Sequence, residues 1–180
     1  YSPANDALWN KVWKINRTTI DSFRQGLFST VPMEIQTWPG NGDVMQGQAA
    51  QLADFVDINN DGIYDWTAGD YPCIKGDQAL FVIFNDDRNV HTETGGQKMR
   101  FEFHAMLYAY KAPGSWLDTV VFLNYKMFNR SGITLSDAYI GSWMDLELGS
   151  PGDDYVGCDV ARNTFYVYNG DANDGTSPIP

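Results

Sequence analysis

Between Arg100 and Tyr110 the chain alternates strictly enough to dictate its local geometry. Phe101, Phe103, Ala105, Leu107 and Ala109 recur at every second position. Only a strand points successive side chains to opposite faces, so the run reads as β, with Glu102 and His104 sharing the other face. Ala79–Phe84 is a short apolar run, and Thr119–Phe128 is rich in β-branched and aromatic residues. Asp137–Met144 and Thr164–Tyr168 continue the pattern, with turns at Ala112-Pro113-Gly114 and Arg130-Ser131-Gly132. The expected fold class is mainly β: an antiparallel β-sandwich-like domain with one N-terminal α-helix and long calcium-binding loops.

The helix is expected over residues 6–25. Asp6 can cap it, Gly26 can end it, and Trp9, Val12, Trp13, Ile20 and Phe23 share a face, with Leu8 and Ile15 at its edge. That stripe reads as core packing. Residues 27–50 are punctuated by Pro32, Pro39, Gly40, Gly42 and Gly47, and Trp38-Pro39-Gly40 reads as an indole-anchored turn. The organisation is therefore an N-terminal helix and irregular extension over 1–50, packed on a β-rich region over 51–180, one domain overall. The start at Tyr1 and the linker-like Ser177-Pro178-Ile179-Pro180 suit a piece of a longer polypeptide.

Formal net charge is -11. This opposes nucleic acid and anionic membrane surfaces, both of which require clustered Lys and Arg. It suits divalent cations or extracellular fluid. No apolar run approaches the roughly 18 residues that span a bilayer. Cys73 and Cys158 allow one disulfide or two thiols, and zinc-knuckle spacings are absent.

Asp57-Ile58-Asn59-Asn60-Asp61-Gly62-Ile63-Tyr64-Asp65 places side-chain oxygens at relative positions one, three, five and nine, with glycine at six. Calcium takes six to eight oxygens, which converge only if the backbone curls, as Gly62 permits. The expected ligands are Asp57, Asn59, Asp61, the Ile63 carbonyl and Asp65. An EF-hand would carry an acid at position twelve, where this chain has Ala68. Asp70 is expected to close the shell instead. Gly69 and Pro72 prevent a following helix, so the loop braces structure and does not sense calcium.

A second cation site is read from Asp145 and Glu147 with Asp153, Asp154 and Asp159, whose repulsion calls for a cation or for Arg162. Asp171, Asn173, Asp174 and Gly175 read as a polar turn without metal. The two histidines lie in His91-Thr92-Glu93 and Glu102-Phe103-His104. These His and Glu side chains could bind zinc or do acid–base work. The alternative is a buried hydrogen-bonded pair that fixes strand register. Nucleophile elbows, phosphate loops and dinucleotide fingerprints are absent. Trp116 and Tyr110, beside a turn, are the expected exposed aromatics.

Several stretches together resemble a module of large secreted Bacteroidetes proteins exported by the type IX secretion system. They are Asp57–Tyr71 with Pro72, Ile74–Leu80, Phe84-Asn85-Asp86, His91–Gly96, Glu102–Ala105, Asn129-Arg130-Ser131, Asp153–Asp159 and Tyr168–Asp171. The resemblance implies an exported, adhesin-like protein held at the cell surface or released, and carries over no catalytic residues. The expected function is a non-enzymatic, calcium-stabilised module of a secreted surface protein. Its expected partners are calcium ions, the rest of its polypeptide, and surface glycans or other surface proteins. One alternative is a polysaccharide hydrolase using His91, Glu93, Glu102 and His104. Another is a carbohydrate-binding module, marked by a row of exposed coplanar aromatics.

Overall fold

The computed structural model describes residues 9–175 and 177–178, so Asp6 and Leu8 of the expected helix lie outside the described residues. The chain divides into two compact units, residues 1–133 and 134–180. It is mainly β, and its sheets are antiparallel throughout.

The first unit is built on a four-stranded sheet in the order β1-β4-β5-β6. Its strands are β1 (Trp13–Asn16), β4 (Gln78–Asn85), β5 (Phe101–Ala109) and β6 (Val121–Asn129). Between β1 and β4 come the helices α1 (Arg17–Arg24) and α2 (Met33–Gln36) and a ribbon of β2 (Phe55–Val56) on β3 (Tyr71–Pro72).

The long N-terminal helix is corrected to eight residues. Trp13 and Ile15, read as helical, alternate inward on β1 with Lys14 pointing out, opposite Phe81, Ala79 and Leu80 of β4. Val12, expected on the buried stripe, is exposed. A sheet edge offers this segment both hydrogen bonds and burial, which outweighs its weak helical periodicity. The helix starts where Arg17 is stapled down. Its backbone N–H donates to Asp77 and its guanidinium donates to the carbonyls of Ile74 and Gly76.

The core joins Trp13, Ile20, Ile35 and Trp38 to Phe81 and Met106, so residues 13–38 are built into the same core as the sheet. Trp38 anchors its turn as expected, donating from Nε1 to the Asp54 carbonyl at 3.0 Å. On β5 the apolar alternation is real, but the face turned to the core carries Glu102, His104 and Met106. The opposite face holds Phe84, Phe103, Leu123, Tyr125 and Met127, and four of these five are exposed.

The second unit is a ribbon of β7 (Asp154–Asp159) on β8 (Thr164–Asn169) and a shorter one of β9 (Asn173–Asp174) on β10 (Ser177–Pro178). Asp137–Met144, expected as a strand, is irregular. Its apolar residues come as contiguous runs on either side of Gly141, and strand interiors disfavour such a glycine. β7 runs through Asp154 and Asp159 of the acidic cluster, with Tyr155, Val156 and Cys158 paired to β8.

Phe81 is 4% exposed and its ring meets Trp13, Trp38 and His104. Phe81→Ala is expected to lower stability by about 3–5 kcal/mol in urea unfolding.

Candidate functional site

The Asp57 loop is a closed structure. Its base is the β2–β3 ribbon, which pairs Phe55 with Pro72 and Val56 with Tyr71. At the entrance the Asp57 carboxylate accepts N–H groups of Asn60 and Gly62, each at 2.7 Å. Asn60 and Gly62 both take positive φ, 60° and 78°, giving the curl expected of Gly62. Asp61 accepts from Ile63 N–H and from the Asn59 amide, each at 2.8 Å. Asp65 accepts from the backbone N–H and hydroxyl of Thr67, capping a 3-10 turn over Trp66–Ala68. Those bonds hold the Asp65 carboxyl below its ordinary range.

Asp70 closes the loop by hydrogen bonds. It is wholly buried, and its two oxygens accept N–H groups of Ile58 and Asp65, both at 2.8 Å. One carboxylate thus ties the two arms of the loop together.

Two residues absent from the sequence reading anchor the loop to the core. The Asn41 side chain donates to the Tyr64 carbonyl and accepts the Tyr64 N–H. Tyr64 is buried and its hydroxyl donates to the Ile35 carbonyl at 2.6 Å. Burial first, and the nearby Asp70 charge second, push this phenol well above its ordinary range. The signal in the sequence was Tyr64 itself, an aromatic inside a polar loop.

The oxygens suit a hard cation in type. Asp57, Asp61, Asp65 and Asp70 make no salt bridge among the described residues. Each Asp57 oxygen accepts one N–H and keeps a lone-pair direction. Among the described residues, no three His, Cys, Asp or Glu side chains converge as a ready metal-holding group.

In the second unit, Asp145 and Glu147 lie exposed on irregular chain. Asp159 is neutralised by an ion pair with Arg162. Asp154 accepts from Leu148 N–H, and Asp153 accepts from Gly175 N–H at 2.7 Å. The second oxygen of Asp153 is buried without a hydrogen-bond partner. Asp174, read as part of a plain turn, accepts the Ser150 N–H and so ties the 171–175 turn to this cluster.

His91 faces the Asp86 carbonyl at 3.3 Å, and Glu93 is exposed. His104 and Glu102 do meet, and both are buried. His104 Nε2 lies 2.7 Å from Glu102 Oε1 and Nδ1 lies 3.2 Å from the Leu52 carbonyl. Neither nitrogen is left for a metal or a substrate, although His104 borders a cavity of about 190 Å³ floored by Leu52, Phe81 and Met106. Arg130 completes the cluster, its guanidinium donating to both Glu102 oxygens. This is a buried hydrogen-bonded pair, extended by a cation from the end of β6. Cys73 and Cys158 are free and exposed.

No protein-family model matches this chain, and no curated protein or solved structure does.

Burial raises the Glu102 carboxyl, but hydrogen bonds from His104 and Arg130 and their charges outweigh it, bringing it to about 2 from an ordinary 4.5. A carboxyl depressed in the folded state stabilises fully above its unfolded value. That stability is therefore lost as pH falls from about 4.5 toward about 2. Urea unfolding across this range is expected to show the slope, and Glu102→Gln to reduce it. Asp70→Asn leaves one acceptor for two buried N–H groups and is expected to cost about 1–3 kcal/mol in the same measurement.

Proposed function

We propose that the chain is a non-enzymatic, calcium-braced β module of a secreted surface protein. The observation that carries this is the acidic loop at Asp57–Asp70, whose carboxylates have no cationic partner among the described residues. Asp57, Asn59, Asp61, Asp65 and the Ile63 carbonyl would hold the ion. Asp70, committed to the loop base, sets the spacing of the two arms. Asn59 and Asp61 are exposed and would exchange their mutual hydrogen bond for the ion on binding. The ion would neutralise the loop and brace it against the β2–β3 ribbon.

A weaker second site is proposed in the other unit at Asp153. Its unpartnered buried oxygen and the neighbouring loop of Asp174 support it better than Asp145 or Glu147. The sandwich-like architecture is likewise a proposal. The exposed apolar face of β4, β5 and β6 supports it, since such a face is stable only when a second layer covers it. Export through the type IX route, residence outside the cell or on the outer membrane, and adhesive contact with glycans or surface proteins rest on the quoted sequence resemblance. No described helix is long and apolar enough to cross a membrane. The hydrolase alternative draws no support from the His and Glu side chains, because His104 is engaged at both nitrogens.

Calcium is expected to raise the melting temperature and EGTA to lower it. At calcium 100-fold above Kd the gain is about 2.7 kcal/mol. Asp57→Ala with Asp61→Asn should abolish the response of the first unit, followed through Tyr64 and its neighbours. A melting temperature indifferent to calcium and EGTA overturns the proposal.

A further inference from the structure

The β7–β8 hairpin has two chemically different faces. Directly paired residues of antiparallel strands share a face. One face therefore carries Tyr155 and Tyr168, Gly157 and Tyr166, then Asp159 and Thr164. The other carries Val156 and Val167, then Cys158 and Phe165. The first has rings and polar groups but no aliphatic side chain. The three tyrosines are 57%, 50% and 46% exposed at 155, 166 and 168.

The rings form a contiguous cluster, with Tyr155 across the ribbon from Tyr168 and Tyr166 two residues along the strand from it. Tyr166 and Tyr155 each lie 5.9 Å from Tyr168 between ring centroids, with interplanar angles of 37° and 27°. Two rings rest against glycines. A Cβ placed on Gly157 would stand 2.4 Å from Cζ of Tyr166 and 2.6 Å from both Cε2 and Oη. Near-equal distances to three bonded atoms mean that the ring lies over Gly157 by its face. A Cβ on Gly170 would meet Cε2 of Tyr155 at 2.4 Å and Cδ2 at 3.0 Å, so Tyr155 touches Gly170 along its edge. Tyr166, half exposed with one face on Gly157, turns its other face to water.

From this geometry we propose that the Tyr155, Tyr166 and Tyr168 cluster is a stacking platform for an unbranched neutral glycan. Sugar rings present apolar C–H faces that suit the electron-rich face of an aromatic ring, and hydroxyls at their rims. Here the phenolic hydroxyls, with Asp159 and Thr164 at the margin, meet the hydroxyls. The net charge of -11 disfavours phosphate-bearing, sulfated and uronate chains. A dry protein interface would instead favour the opposite, aliphatic face. The site goes beyond the calcium reading and does not rest on it.

The test titrates the 180-residue chain with cellohexaose, xylohexaose, mannohexaose and laminarihexaose, and with a polyuronate hexamer. Each titration is run in calcium and in EGTA and read by calorimetry and by tyrosine-ring NMR signals. At least one neutral hexasaccharide is expected to bind, shifting the signals of Tyr155, Tyr166 and Tyr168. Tyr168→Leu and Tyr166→Leu keep bulk but lose the ring face, and each should weaken binding about tenfold. Tyr168→Phe should retain it. Gly157→Ala lifts the Tyr166 ring off the strand and should weaken binding without changing any ring. Absence of binding by every neutral hexasaccharide in both buffers, binding of the polyuronate alone, or wild-type affinity in both Leu variants overturns the platform. Hexasaccharide binding by a protein whose melt ignores EGTA would overturn the calcium reading alone.

Discussion

A buried carboxylate organises the long loop of the first unit. Asp70 is wholly enclosed, and its two oxygens accept N–H groups from Ile58 and Asp65. Few apolar side chains lie in this loop, so hydrophobic burial, chiefly of Tyr64, orders only part of it. The Asp70 bonds, the β2–β3 ribbon below and the Tyr64 hydroxyl bond within hold the rest. With the loop held, Trp38 can bond to Asp54 and Leu52 can present its carbonyl to His104. The loop thereby connects to the sheet through the same buried histidine that fixes the β5 face.

Charge is treated differently in the two buried clusters. At Glu102 the anion meets a histidine and an arginine, and the carboxyl is held low. At Asp70 it meets two backbone N–H groups, with no ion pair among the described residues. Removing a carboxylate from water is unfavourable unless it is well bonded or paired. The first arrangement is complete in itself and supports a structural role for His104. The second leaves anionic charge in a loop already rich in oxygen ligands, which is why the calcium proposal is placed there.

The paired regularity of the sheet was readable from residue order. Period-two alternation identified β5, and apolar or β-branched runs identified β4, β6 and β8. The same rule failed at Asp137–Met144, where composition favoured a strand but apolar residues came in contiguous runs. It also failed at Trp13 and Ile15, whose four-residue strand is too short to announce itself inside a longer periodic segment. Alternation revealed which residues share a face of β5 but not which face is buried. His104 and Glu102 turn inward because Arg130 and the Leu52 carbonyl wait there, and both are distant in sequence.

What the sequence alone determined was local: strand periodicity, the Gly62 curl and the oxygen-bearing residues at alternate loop positions. Each depends on interactions between near neighbours or on backbone sterics. What only tertiary structure decided was pairing across distance. It joined Asn41 to Tyr64, set Asp70 as the latch of its loop, and joined Asp174 to the 148–153 turn. It also laid Tyr166 on Gly157 and Tyr155 against Gly170, a surface visible only once register is known. A one-residue slip would carry those rings to the other face, so residue order without register could not have placed them together.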